Sequence, residues 1–427
     1  MSAVTIDAST GCLVIGGQKV FPLGLSDAPP QGGTTPDGKD AWAEIANGGL
    51  GANFIRTGRT LASPWNLAQI DAQIAQERTR MDAAQAHGLH CWLGLVNAAN
   101  LPAPTPGGSP SDPEQLLVRI TSGLKGHAAL GAYKGADEPA HSGTPADGLV
   151  RARQKLKTLD PDHPIVITQA PVGAAADLVA YRPAFDITGA DIYPVSYPPG
   201  EHAALANKDI SVVGEITRKM VNAAGGKPVW MTLQIAWSGT IPRQQHPEIV
   251  PRFPTLLDER FMAYQAIVNG ARGLVFFGGQ FTQVMRPRDA VTGWNWTFWK
   301  LVLRPLLVEL NSPSVQPALV APLAPAPVTT TATDVELTTR RAGNFLHVIA
   351  VRRSATTTNQ VQFTGLPPRQ NGAQITSGQV MFEYAQDPLP PPVRPDKQTF
   401  RYVRAANGGF KDWFGPHDVH VYRFNLA

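Results

Sequence analysis

Between residues 21 and 310 a short apolar run is followed, eight times over, by a segment with helical character. This alternation constrains the fold more than any other feature of the chain. The runs are residues 21–25, 52–56, 89–95, 128–133, 165–168, 186–192, 228–233 and 273–277. They are short and mostly non-alternating, the pattern of strands buried on both faces. Among the intervening segments, 66–86 places Leu67, Ile70, Ile74 and Met81 at helical spacing. Another, 113–124, opens with Ser111-Asp-Pro113, a cap followed by proline in the first turn. Eight such units predict an α/β chain built on one (β/α)8 TIM barrel. An open doubly wound sheet is the rival, but no GxGxxG or P-loop follows any run.

After Asn311 the pattern changes. Residues 313–332 are rich in Pro, Ala and Thr and read as a linker packed against the barrel. Period-2 segments follow at 335–338, 345–351, 361–363, 380–383, 400–403 and 419–424, separated by Gly, Pro and Asn turns. They predict a small all-β sandwich. The expected organisation is a barrel over 1–312 with a short N-terminal hairpin, the linker, and a β-sandwich domain over 333–427.

The 427 residues are 43% hydrophobic and 16% charged, so a large core is available and long disorder is not expected. The net charge of +4 is spread along the chain with no Lys/Arg block, so no nucleic-acid partner is expected. No run of about 18 apolar residues predicts a membrane span. Residues 1–10 lack a signal-peptide pattern, which fits a cytoplasmic protein or a secreted one whose leader was removed. The two cysteines, Cys12 and Cys91, form no CxxC pair, and Cys91 lies in an apolar run as a small core residue. The ten histidines are scattered, with no HExxH spacing. No metal or cofactor is expected.

In a barrel the C-terminal strand ends converge on one face, where active sites sit. The residues that converge there are polar and hydrogen-bonding, with aromatics among them. They include Asp27, Arg56, Asn97, Asp137 and Glu138, then Asp191, Tyr193, Gln234 and Trp237. Such a set suits a sugar: amides and carboxylates pair with hydroxyls, and aromatic faces cover C–H surfaces. A carbohydrate partner is therefore expected, whether a glycoside, an oligosaccharide or a polysaccharide. Two adjacent acids after an apolar run, in Gly135-Ala-Asp-Glu-Pro139, are the most pointed signal, because capping a helix needs only one.

That stretch resembles the strand-4 acid/base motif of the clan A glycoside hydrolases. Asp191-Ile-Tyr-Pro194 and Lys227-Pro-Val-Trp-Met-Thr-Leu-Gln234 resemble strands 6 and 7 of glycosidase-like barrels of that group. Gly17-Gln-Lys-Val-Phe-Pro-Leu-Gly24 resembles their first strand, and residues 407–422 resemble the closing strands of their accessory β domain. The resemblance covers nearly the whole chain and implies a glycosidase in which Glu138 protonates the leaving oxygen.

The sequence departs from the pattern at strand 7, where Gln234 stands in place of the nucleophilic glutamate; an amide cannot do that work. Three readings follow. Asp191 supplies the second carboxylate, attacking directly at a spacing near 5–5.5 Å or activating water at 6.5–9.5 Å. Alternatively, Asp137 orients a 2-acetamido group of the substrate beside Glu138, with Tyr193 on its oxygen. Or the barrel only binds carbohydrate, as a pseudoenzyme. Arg56, Tyr193, Gln234, Trp237, Asp27 and Asn97 are expected to contact substrate. Glu215 and Glu259 fall within helical patterns and are expected on solvated faces.

Overall fold

The computed structural model describes residues 4–196, 205–235, 252–281, 284–383 and 400–427. Three short antiparallel strands come first: β1 (Val4–Ile6), β2 (Leu13–Ile15) and β3 (Gln18–Val20). Then follow eight parallel strands: β4 (Leu23–Leu25), β5 (Phe54–Gly58), β6 (His90–Gly94), β7 (Leu130–Asp137), β8 (Ile165–Gln169), β9 (Ile187–Ala190), β10 (Trp230–Gln234) and β11 (Gly273–Phe277). They hydrogen-bond in the order β10-β11-β4-β5-β6-β7-β8-β9. Parallel bridges Thr188–Val229 and Asp191–Thr232 join β9 to β10 and close the ring.

The barrel interior is filled by large side chains at one level and small ones at the next. Phe54, Trp92, Trp230 and Val275 pack with Ala132, Val166 and Ile187. Phe54 and Trp92 both meet Trp230 edge-on, with ring centroids 5.7 and 6.3 Å apart. Val4, Leu13 and Ile15 belong to the same cluster, so the three N-terminal strands plug the bottom of the barrel. Apolar burial at that end leaves the other end for chemistry.

Helices surround the ring: α1 (Ala41–Ala46), α2 (Ile70–Ala86), α3 (Asp112–Leu124), α4 (Ala146–Leu159), α5 (Ala175–Val179), α6 (Val212–Ala224) and α7 (Leu256–Val268). After β11 come the short α8 (Pro287–Thr292) and then a continuous helical stretch. It comprises α9 (Trp296–Phe298), a π-helical turn (Trp299–Leu303) and α10 (Arg304–Leu310). Pro305 has no N–H to donate, and the wider turn immediately before it absorbs the lost bond. Residues 313–332 carry more structure than a linker. They include α11 (Gln316–Leu319) and β12 (Thr329–Thr330), the latter paired with β15 (Thr358–Thr364).

The C-terminal region adds β13 (Val335–Ala342), β14 (Phe345–Arg352), β16 (Ser377–Met381), β17 (Phe400–Ala406), β18 (Gly409–Phe414) and β19 (Val419–Asn425). The sheet order is β12-β15-β18-β17-β16-β19-β14-β13, antiparallel throughout. β17 pairs with β16 along its first half and with β18 through its last residues, so the sheet turns over on itself. Phe363, Phe410, Phe414, Tyr422 and Phe424 fill the space between its layers. The opposite face, with Ile349, Val351, Met381 and Val421, joins the barrel's own core.

Candidate active site

At the C-terminal ends of the barrel strands lies a cavity of about 430 Å³. All eight strands contribute to its wall, from Ser26 just past β4 to Phe277 at the end of β11. Asp137, Glu138, Asp191 and Tyr193 all line it.

The local geometry at Glu138 starts in β7. This strand runs past residue 133, where the apolar run ends, to Asp137. Its pairing with β8 shifts register between Lys134 and Asp137, so Gly135 and Ala136 are taken up as a bulge. Bulges re-aim the side chains that follow them. Glu138 then adopts φ +44°, a left-handed conformation that costs a non-glycine residue about 1–3 kcal/mol. It is held there from both sides. Its N–H donates to the Thr168 carbonyl at 2.8 Å, and its own carbonyl accepts from Ser142 N–H at 3.0 Å.

Asp137 is half exposed, and its Oδ1 accepts from Lys134 Nζ at 2.6 Å. Lys134 is itself buried, donates to Thr168 Oγ1 at 3.2 Å, and sits 4.8 Å from the centroid of the Trp92 ring. Burial alone would push the Asp137 carboxyl up. The Lys134 ammonium, by charge and hydrogen bond, and then the charge of Arg56 hold it below the usual carboxylate range. Asp137 is therefore a fixed negative charge.

Asp191 is the reverse case. Its carboxyl lies in hydrogen-bonding contact with that of Glu138. Burial first, then the charges of Glu138 and Asp137, push it well above the usual range. No donor among the described residues reaches its Oδ1, which fits a carboxyl that keeps its own proton. Asp191 is therefore the carboxyl that keeps a proton in the neighbourhood of these charges. Burial first, then the charges of Asp191 and Asp137, push the Tyr193 phenol well up. The ring stacks on Phe277, 15° from parallel at 5.5 Å.

Other expected contacts do not gather here. Gln234 is wholly buried. Its Oε1 accepts from Val195 N–H at 2.7 Å and its Nε2 donates to the Val195 carbonyl at 2.8 Å, so the amide clamps the segment that carries Tyr193 and, being wholly buried, is out of reach of a substrate hydroxyl. Asn97 does the same for Trp65, through bonds of 3.2 and 3.0 Å, and does not line the cavity. Arg56 lines it but pairs with Asp27 Oδ1 at 2.8 Å rather than with Glu138 or Asp137. Asp27 faces an adjoining side cavity instead. Burial pushes the Asp27 carboxyl up, while Arg56 opposes the shift. Trp237 lies outside the described residues. Glu259 contradicts the expectation of a solvated face: it is fully buried on α7, with burial pushing its carboxyl well up. Residues 259–267 of its helix are all buried, packed between the barrel and β13, β14 and β19, which helical periodicity cannot reveal.

Lys134, Thr168, Thr232 and Phe277 line the cavity without having been marked by the sequence. Only Lys134 left a signal there, as a lone cation directly after the apolar run at 128–133. Among the described residues no group of three or more His, Cys, Asp or Glu side chains could hold a metal ion. No helix among them is long and apolar enough to cross a membrane.

No protein-family model matches the sequence, and no curated protein matches it. Solved structures do match. A glycoside hydrolase family 5 protein from Bacteroides vulgatus aligns over 99% of this chain and 93% of its own, with TM-score 0.61 and 12% identity. A GH30 endoxylanase from Clostridium papyrosolvens aligns over 99% of this chain and 100% of its own, with TM-score 0.53 and 12% identity. The family 51 α-L-arabinofuranosidase AbfB from Bifidobacterium longum covers 100% of this chain and 97% of its own, with TM-score 0.50 and 11% identity. The fold of this chain, a (β/α)8 barrel followed by a C-terminal β domain, is similar to that of these solved glycoside hydrolases.

Proposed function

We propose that the chain hydrolyses an O-glycosidic bond, with Glu138 as general acid/base and Asp191 as the second carboxyl. The observation that carries this reading is the contact between these two groups, one biased toward its protonated form, in a cavity at the strand ends. Cleaving a glycoside requires a proton for the departing oxygen and a negative charge or activated water at the anomeric carbon. A carboxyl pair with a proton on one member carries both. A sugar entering the cavity parts the two groups. The proton passes from Asp191 to Glu138 and on to the glycosidic oxygen, which leaves Asp191 as a carboxylate facing the charge that builds on the ring. The separation reached with substrate decides between direct attack and water activation.

Asp137 tunes the pair. Held ionised by Lys134, it disfavours ionisation of Asp191. Tyr193, stacked on Phe277, fixes the Asp191 carboxyl from its other side.

The test is a panel of aryl glycosides, with and without a 2-acetamido group, on wild type, Glu138→Gln and Asp137→Asn. Hydrolysis of a sugar lacking the acetamido group, lost in Glu138→Gln, supports the proposal. Turnover confined to 2-acetamido sugars and lost in Asp137→Asn replaces Asp191 by the substrate's own nucleophile. Binding of saccharides without turnover of any glycoside makes the barrel a carbohydrate-binding protein.

A further inference from the structure

A side cavity of about 240 Å³ adjoins the main one and shares Ser26 and Arg56 with it. Three guanidinium groups line it, those of Arg56, Arg59 and Arg80, against the single carboxylate of Asp27. Arg56 is paired with that Asp27, at 2.8 Å. Arg80 is paired with the buried Glu77, at 3.1 Å, and donates to the Gly58 carbonyl at 3.2 Å. Arg59 pairs with no carboxylate among the described residues. Its Nη2 donates to the neutral Gln76 Oε1 at 2.8 Å, and its Nε is buried without an acceptor. The guanidinium lies 5.5 Å from the centroid of the Trp65 ring, and this indole is anchored by its N–H on the Gly94 carbonyl at 2.9 Å. Arg59 is thus a positioned cation that no carboxylate pairs directly, on the wall of the side cavity.

We propose that Arg59 binds an anionic substituent of the substrate, a carboxylate or a sulfate, so that the sugar seated in the side cavity is an acidic one. This rests on the hydrolase reading for the word substrate, but the binding claim stands on its own. The planar guanidinium fork matches the two oxygens of a carboxylate or sulfate. A neutral hydroxyl can accept from the same N–H groups but returns no charge to the cation. Burial and the charge of Arg80 push Arg59 below its ordinary value against the charge of the nearby Glu77, and an incoming anion adds to that counter-charge. The negative carboxyl pair lies in the main cavity and this cation in the side cavity. An acidic sugar is therefore oriented as well as bound: its anion is drawn away from Glu138 and Asp191.

The experiment is titration calorimetry of the full chain with glucuronic acid, galacturonic acid and glucose 6-sulfate, each against its neutral parent sugar. Wild type is expected to bind at least one anionic sugar about 10-fold more tightly than its parent, the size of one charge-assisted hydrogen bond. Whether the uronic acids or the sulfated sugar show the gain identifies the anion. Arg59→Gln is expected to abolish the difference and Arg59→Lys to keep part of it, which guards against a variant that misfolds. Equal binding of anionic and neutral sugars by wild type, or no binding of either, overturns the proposal. So does a preference that survives in Arg59→Gln. An Arg59-dependent preference without turnover of any glycoside would remove the hydrolase reading and leave this one. Turnover of neutral glycosides without an anion preference would do the opposite.

Discussion

The proton on Asp191 is held by burial and by the neighbouring charges of Glu138 and Asp137, so single substitutions act on it in ways whose sign can be worked out. Asp191 has a folded-state pKa raised above its unfolded value. The unfolded chain therefore ionises this group above about pH 4 while the folded chain keeps it protonated. Stability is full below that pH and falls as the pH rises toward the folded value. Asp191→Asn removes the penalty. Its melting temperature is expected to exceed that of wild type at pH 7, with the gain shrinking toward pH 4, as read by thermal denaturation across that range. The strand-7 position behaves differently. Gln234→Glu restores the residue type that the family resemblance leads one to expect, but not a nucleophile. The new group cannot donate to the Val195 carbonyl, which Nε2 now satisfies at 2.8 Å, and it sits where nothing is exposed. The expected result is a loss of about 1–3 kcal/mol in chemical denaturation and no trapping by a 2-fluoro glycoside at residue 234.

At the scale of elements, the βα rhythm was legible because buried parallel strands and amphipathic helices leave different periodicities in the chain. The run at 273–277 coincides with β11 to the residue, and the segment at 113–124 falls one residue short of α3. Two things left no such mark. The end of β7 depends on a bulge, and a bulge is a matter of register against β8, which the β7 segment alone does not contain. The placements of Gln234 and Asn97 depend on which backbone amide each finds, Val195 or Trp65, and these partners are remote in sequence. Polar residues at strand ends were therefore read as ligands when they are clamps. The closing seam of the barrel offers an element-level test. A Cβ on Gly189 would lie 1.5 Å from the Trp230 carbonyl oxygen, a backbone atom of the neighbouring strand. Gly189→Ala must force β9 and β10 apart and is expected to cost about 3 kcal/mol, measured by denaturant unfolding.

At the scale of the whole molecule, the barrel and the β domain share apolar core and a buried ion pair. Arg260 on α7 meets Glu309 on α10 at 2.9 Å and also donates to the Val419 carbonyl of β19 at 2.9 Å. Glu336 of β13 accepts from Gln265 and Asn269 of the barrel side, at 3.0 and 2.8 Å, and pairs with Arg218. Contacts of this kind make the β domain part of the wall that holds α6 and α7 in place. Arg260→Ala leaves Glu309 as a buried charge deprived of this partner, and a cost of about 3–5 kcal/mol is expected. Calorimetry should still show one transition for both regions. Two separated transitions in wild type would contradict the shared core.

The central claim is that Glu138 and Asp191 act as one proton-holding unit in glycoside cleavage. It is tested most directly by the turnover of an aryl glycoside substrate in Glu138→Gln, Asp191→Asn and the double variant. Each single change is predicted to lower kcat by about 10²–10⁴-fold, and the double variant to fall no further than the worse of the two, because partners in one unit are not additive. Turnover by either single variant equal to that of wild type would contradict the account.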